Sequence, residues 1–497
     1  MQNINAFLHK PKTIAHFLWN KKGGHPMRNR KRRIEPFSFY DHSHISQHFE
    51  KMASKGWMIE ELTNWGWSYK KIEPQSLHFT VTYYPKASEF DPEPSEEQKR
   101  FYDFCEHTGW KLACASAQMQ IFYNEQEHPI PIETDPVVEV DIIHQACKKS
   151  FISSYVVLLL LSIINGAMFL FRMFDNPIGV LSSSINISTG ICWAMLFVYC
   201  ITELTNYYIW HKKATKAAEE GVFLETPNTS LLQKGLLIGV DILLLYRFVP
   251  FVFMADSLER TIFILCFLYM GALIYLVNAI KKFLKRKKAS AGTNRTITFL
   301  SSFVLSFTMI GAITFFTIYG LNHGLFSKDN ETYEHNGATF TIHKDELPLT
   351  VEDIFGVDYD GYNKERRANE SFLLAEFDIR QHARFDAEEF DQMPTLDYKI
   401  VLVKVPFLYD WCKDDLYYSG DNTLDDTWPD DMKSIYKSEN PTPWKANEVY
   451  RLYFFDGSPR NRYLLCYDTY LVDIQFDQEL TEEQIAIVAE KLNQNIN

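Results

Sequence analysis

Three charged residues in apolar surroundings are the first candidates for chemistry: Glu203, Asp241 and Arg247. A charge inside a bilayer is costly, so it faces protein or water and marks either an ion or proton pathway or a polar clamp between helices. Asp241 and Arg247 are six residues apart, about 240° around a helix, so they do not share a face. Glu203 is the candidate partner for one of them. A carrier usually shows more polar residues or broken helices, and only Arg247–Pro250 resembles a break. The clamp is therefore favoured over the pathway.

Other side chains suggest weaker chemistry. Asp421, Asp425, Asp426 and Asp430 supply oxygens suited to calcium. Their spacing does not fit the helix–loop–helix calcium pattern, and its central Gly is missing, so a solvated acidic loop and no metal or cofactor is the expectation. There is no Gly-x-Ser-x-Gly, His-Glu-x-x-His or phosphate loop, and His335, His343 and His382 share no spacing. No catalytic residue is nominated. Eight cysteines are present without a CxxC pair. Cys412 and Cys466 are the two that one exported domain would hold, and they are the candidate disulfide. Trp57 and Trp110 each follow a Gly. They could stack a ligand, but burial at a helix–sheet corner accounts for them fully and is the favoured reading.

Those residues need elements to position them. Residues 150–172, 186–208, 261–280 and 297–321 are long, nearly uncharged stretches, each near or above the roughly 20 residues that cross about 30 Å of hydrocarbon. A fifth stretch, 235–255, carries Asp241 and Arg247. The connections at 211–234 and 281–296 are rich in Lys and Arg, whereas 173–185 has neither. The positive-inside rule puts both basic connections in the cytoplasm, which requires 235–255 to cross. The expected topology is amino terminus inside, five spans and carboxyl terminus outside, in a bacterial cell membrane.

Charge is segregated along the 497 residues. Residues 321–497 hold 36 acidic and 17 basic residues, or −19 of a total −13, leaving +6 for the rest. Residues 1–33 form a basic extension with no secretory leader, and Lys22-Gly23-Gly24 before Met27 suggests a start at Met27. Arg28–Arg33 suits anionic lipid headgroups. Nucleic acid is not an expected partner of the acidic domain.

Residues 34–124 read as α+β: a strand at 34–40, a helix at 44–55 capped by Asp41 or Ser43, strands at 57–63, 66–73 and 77–84, a helix from Ser95 with Phe101, Phe104 and Cys105 inward, and a last strand or hairpin over 110–123. The order predicts a ferredoxin-like split sandwich, followed by a linker at 125–149. The paired Gly-Trp corners, with Trp67-Ser-Tyr-Lys-Lys-Ile, Phe79-Thr-Val-Thr-Tyr-Tyr and Ile121-Phe-Tyr, resemble the bacterial "domain of unknown function 2812" family. The resemblance covers about a fifth of the chain. It implies a membrane-anchored bacterial protein, with a PadR-type regulator as a cytoplasmic partner, and it transfers no catalytic residue.

Residues 327–497 also read as α+β, with strands at 339–342, 372–379, 398–405, 450–455 and 463–476, a short helix capped by Thr350 and a final helix capped by Thr481. The fold class expected is therefore an α+β ferredoxin-like domain, a five-helix transmembrane region and an α+β extracytoplasmic domain. The leading functional expectation is a membrane-embedded sensor or regulator that binds an external ligand or partner. A transporter or accessory transporter subunit is the first alternative, and an extracytoplasmic enzyme the second.

Overall fold

The computed structural model of the chain describes residues 29–63, 66–228, 230–253, 257–322, 331–357, 359–420, 433–454 and 456–496. Met27 and the acidic quartet Asp421, Asp425, Asp426 and Asp430 lie outside them. Two copies of one β-α-β-β pattern build the amino-terminal domain. The first is β1 (Arg30–Arg33), α1 (His42–Ala53), β2 (Trp57–Thr63) and β3 (Gly66–Lys71). The second is β4 (His78–Tyr83), α2 (Glu96–His107), β5 (Lys111–Ser116) and β6 (Met119–Asn124). The sheets run β1-β3-β2 and β4-β6-β5, so the last strand of each copy lies in the middle.

This differs from the ferredoxin-like expectation, which needs one four-stranded sheet. Two local causes account for it. The first strand is the basic run Arg30–Arg33, paired with β3, because Pro36 has no N–H to give a ladder. Residues 110–123 fold back at Ala117, whose φ is 46°, and become the β5–β6 hairpin.

The helix ends follow from side chains. Asp41 accepts from the His44 N–H at 3.3 Å, and Ser95 from the Gln98 N–H at 3.2 Å. Each satisfies an orphan donor of a first turn. Gly56 and Gly109 follow the two helices with φ of 78° and 87°. Ile45, Phe49, Met52 and Cys105 are buried, but Phe104, expected inward, is 59% exposed. A Cβ on Gly56 would stand 2.9 Å from the Ile72 carbonyl oxygen. Gly56→Ala should therefore destabilise by more than the ~1–2 kcal/mol of the left-handed backbone alone. A lower melting temperature of the purified chain checks this, and an unchanged one contradicts it.

Six helices follow: α3 (Pro136–Asp175), α4 (Pro177–Leu181), α5 (Ser184–Glu219), α6 (Ser230–Phe253), α7 (Ser257–Arg286) and α8 (Ala291–Asn322). Asp135 caps α3 by accepting from the Val137 N–H at 2.8 Å. The second half of the expected linker is thus helix, and it continues through one π turn at Lys148–Ile152. Among the described residues, four stretches are long and apolar enough to cross a membrane: Pro136–Asp175, Ser184–Glu219, Arg260–Arg286 and Ala291–Gly320. They leave large apolar side chains uncovered, Phe171, Leu268 and Phe315 among them, as a lipid-facing surface would. The weakest expected span is the helix α6. Asp241 is exposed on it, and the side chain of Arg247 lies outside the described residues.

The carboxy-terminal domain opens with the hairpin β7 (Thr332–His335) and β8 (Ala338–Thr341), then α9 (Val351–Phe355). Thr350 and Asp353 form the reciprocal capping box at the start of α9. Then come β9 (Tyr362–Glu370), β10 (Leu374–Ala383), β11 (Leu396–Val403), α10 (Tyr409–Gly420), β12 (Ser434–Glu439), β13 (Glu448–Phe454), β14 (Pro459–Cys466), β15 (Tyr470–Phe476) and α11 (Glu482–Ile496). Seven of these strands pair antiparallel as β12-β13-β14-β15-β11-β10-β9. Strand alternation sends Ile379, Ile400, Leu465 and Val472 into one core with Val488 and Leu492 of α11. It sends Leu374, Val401, Leu464 and Leu471 into a second core with Leu416 of α10. The stretch 463–476 is two strands rather than one. Cys412 and Cys466 are free thiols buried in that second core, and burial pushes both up to about 12.

The chain divides into two units. One is Met1–Val157, Tyr199–Ile238 and Met270–Thr308; the other is Leu158–Val198, Gly239–Tyr269 and Met309–Asn497. The chain changes unit inside α3, α5, α6, α7 and α8.

Candidate functional site

Within the first unit, the turn that leads into α1 meets the ends of the long helices. Asp41 must sit at the start of α1 to cap it, and that places Ser38 and Tyr40 against α5. The Ser38 hydroxyl donates to Glu203 Oε2 at 2.7 Å. The Gln233 amide donates to Glu203 Oε1 at 2.6 Å and to Ser38 Oγ at 2.5 Å. Glu203 is 1% exposed. Both its oxygens are therefore held by Ser38 and Gln233. Among the described residues, the hydrogen-bond partners of Glu203 are Ser38 and Gln233. Asp41, also buried, accepts from Thr226 Oγ1 and from His44 Nδ1.

An aromatic lock stands beside the clamp. Tyr40 has no exposed surface, and its ring lies 5.6, 5.2 and 5.4 Å from Phe151, Tyr207 and Trp210. His144 Nδ1 pairs with Tyr207 Oη at 2.7 Å. His42 Nδ1 meets the Tyr40 carbonyl at 3.3 Å, and burial holds its imidazole below the usual range. The two hydroxyl–carboxylate pairs, Ser38–Glu203 and Thr226–Asp41, are buried and closed to a substrate. The arrangement can hold position and transmit displacement. The sequence named Glu203, but not Ser38, Tyr40, Gln233 or Thr226, because their contacts join positions 30 to 195 residues apart.

Further bonds tie the same domain to the helix connections. Lys281 pairs with Glu89 at 3.0 Å and Lys288 with Glu93 at 2.5 Å. Asn294 Nδ2 donates to the Phe90 carbonyl at 3.1 Å, and Lys149 Nζ to the Pro85 carbonyl at 3.0 Å. Trp110 is 4% exposed and donates its indole N–H to the Ile130 carbonyl at 2.8 Å, which leaves no open face for a stacked ligand. Trp57 is half-buried with the Lys31 ammonium 5.4 Å from its ring.

The second unit has a matching attachment. Ile178 and Leu181 of α4 are buried in the core under α10. Ser182 donates to Glu376 at 3.0 Å, and Glu376 also pairs with Lys399 at 2.8 Å. Ser371 donates to the Leu181 carbonyl at 2.6 Å and Ser184 to the Glu370 carbonyl at 2.7 Å.

A groove of about 650 Å³ lies elsewhere in this domain, where Phe340, Phe385 and Phe390 face Asn363, Arg380 and His382. His382 Nε2 meets Asp397 at 2.8 Å, and this hydrogen bond raises the imidazole above its usual range. A raised value means the pair stabilises fully below the unfolded histidine value of about 6.5. That stabilisation is lost as pH rises through the folded value. An NMR titration should find His382 above about 6.5, and Asp397→Asn should return it towards that figure. Equal values in both proteins would dismiss the pair. His335 and His343 lie near this groove, and among the described residues no group of three or more His, Cys, Asp or Glu could hold a metal ion.

Residues 41–155 match the model of the family described as "Protein of unknown function (DUF2812)". The matched segment begins at the capping residue Asp41 and ends inside α3. The matched segment therefore includes both Gly-Trp corners and the first half of α3. No curated protein matches the chain. No solved structure matches it either.

Proposed function

We propose that this chain, whose residues 41–155 belong to the DUF2812 family, is a membrane-embedded regulator that couples an external receiving domain to a cytoplasmic interaction domain. One observation carries the reading: the connection after α3 is bonded to the carboxy-terminal domain, whereas those after α5 and α7 are bonded to the amino-terminal domain. The connection 176–183 is held by the carboxy-terminal domain through Ser182, Leu181 and Ile178. The connection after α5 is held by the amino-terminal domain through Thr226, and the connection 287–290 through Lys288 and the nearby Asn294. This pattern fits five crossings, with α6 among them. The Lys/Arg-rich connections then lie inside, with the −19 domain outside.

Helices tied to a folded domain by buried polar bonds suit the transmission of a shift better than the passage of a solute. Lipid is the surrounding partner, a cytoplasmic regulator of the PadR type is the proposed inner partner, and an external ligand the proposed input. The test uses full-length protein in lipid nanodiscs, beside a variant lacking 327–497. Hydrogen exchange over residues 38–53 and 226–234 should rise in the truncated protein. Identical exchange would remove the coupling reading. A reporter fused at residue 327 should be external, and an internal reporter would remove the topology.

A further inference from the structure

We propose that the groove of the carboxy-terminal domain binds a neutral oligosaccharide, with an aromatic end formed by Phe340, Phe385 and Phe390 and a polar end that includes Asn363 and Arg380. The inference rests on the reading of this domain as the receiver of an external ligand.

The aromatic end is the first observation. Phe340 and Phe385 stand 5.3 Å apart and Phe385 and Phe390 5.5 Å apart. Phe385 is 50% exposed and Phe390 40%. Tyr333 stacks on Phe340 at 5.3 Å and extends the wall. Flat apolar rings left open to water fit the apolar face of a pyranose, whose axial C–H groups carry a weak positive charge toward the negative ring face.

Charge decides between ligand classes. The domain as a whole is strongly acidic, but the groove is balanced. Arg367 pairs with Glu365 at 2.7 Å, Arg380 with Asp378 at 3.4 Å and His382 with Asp397 at 2.8 Å. An anion would have to displace a carboxylate from its cation. A cation would find those carboxylates already taken. Paired guanidinium, imidazole and carboxylate groups still keep spare donors and acceptors in fixed planes. Hydroxyl groups use both kinds and carry no charge to desolvate.

Size and shape agree. A second hollow of about 380 Å³ shares Arg380 and His382 with the groove and continues past Lys399, Arg462 and Asp473. The combined trough crosses strands β9, β10, β11, β15 and β14 and suits an elongated ligand. One or two sugar rings would cover the aromatic wall, and further rings would run along the charged ladder.

Full-length protein in nanodiscs should be titrated by calorimetry with cellotetraose, chitotetraose and maltotetraose, and separately with tetralysine and citrate. At least one tetrasaccharide should bind, with an affinity that changes less than about twofold between low and high salt. Phe385→Ala should weaken it about tenfold or more, the loss of one stacking partner, and Arg380→Gln should weaken it as well. Phe385 is outside both cores, so an unchanged melting temperature would show that the variant is folded. Three outcomes would overturn the proposal: no tetrasaccharide binds, sugar binding survives both substitutions, or only tetralysine or citrate binds with strong salt dependence. The titration reads binding alone. Its failure leaves the coupling reading to be judged by hydrogen exchange.

Discussion

Tyr40→Ala should lower the stability of the amino-terminal junction by about 3–5 kcal/mol, the range for removing a large buried aromatic side chain. Tyr40 is fully buried and contacts rings from two long helices, Phe151 on α3 and Tyr207 and Trp210 on α5. The cavity cannot close by collapse of its neighbours, because Tyr207 is tied to His144 and Ser38 to Glu203. The loss should be local at first. Hydrogen exchange over 38–53 should rise more than exchange over 111–124, since the β5–β6 hairpin does not touch this ring. Ser38→Ala gives a second, smaller measure. It leaves Glu203 Oε2 without its donor in a buried place, at about 1–3 kcal/mol. If Tyr40→Ala melts like the parent protein and shows the parent exchange pattern, the junction is not what joins the domain to the helices.

Much of this architecture was readable because it depends on short spacings. The caps at Asp41, Ser95, Thr350 and Thr481 each need only a side chain and an N–H two or three residues on. The Gly-Trp corners need one left-handed residue after a helix. The long apolar runs need nothing but composition. What failed was pairing between segments. Residues 34–40 alternate like a strand, yet Pro36 and the capping demand of Asp41 break the run, and the strand forms from four basic residues before it. The seven-stranded sheet was only partly visible, because its edge strand β9 is the charged run Tyr362–Glu370 and is mostly exposed. Charged edges hide from hydrophobic patterning and also deter unwanted pairing.

The site residues divide in the same way. Glu203 was conspicuous because an apolar run surrounds it. Its partners were not, since Ser and Gln are ordinary residues and the bonds join positions 165 and 30 apart along the chain. Asp241 invited the idea of an ion pathway, but the partner expected for it is committed elsewhere. The groove at Phe385 left almost no sequence signal. It arises where a hairpin, an irregular loop and the end of a sheet meet.

Ile178→Asp should release the α3–α5 connection from the carboxy-terminal domain. Ile178 is 2% exposed and packs among Leu374, Val401, Leu416 and Leu471. Truncation there to Ala would cost about 2–5 kcal/mol, and a carboxylate adds the cost of an unpaired charge in an apolar core. The nearby ion pair of Glu376 and Lys399 offers little relief, because Lys399 is already engaged at 2.8 Å. The connection should therefore detach while the seven-stranded sheet, whose main core lies on the opposite face, stays folded. Limited proteolysis should then cut between 173 and 184 at concentrations that leave the parent intact. The far-ultraviolet spectrum should change little. Because α4 joins α3 to α5, detaching it also tests transmission: exchange at 38–53 should rise even though the substitution is far from those residues in the sequence. Cleavage at the connection without that rise would mean that the outer attachment is structural only, and that any signal travels through α8.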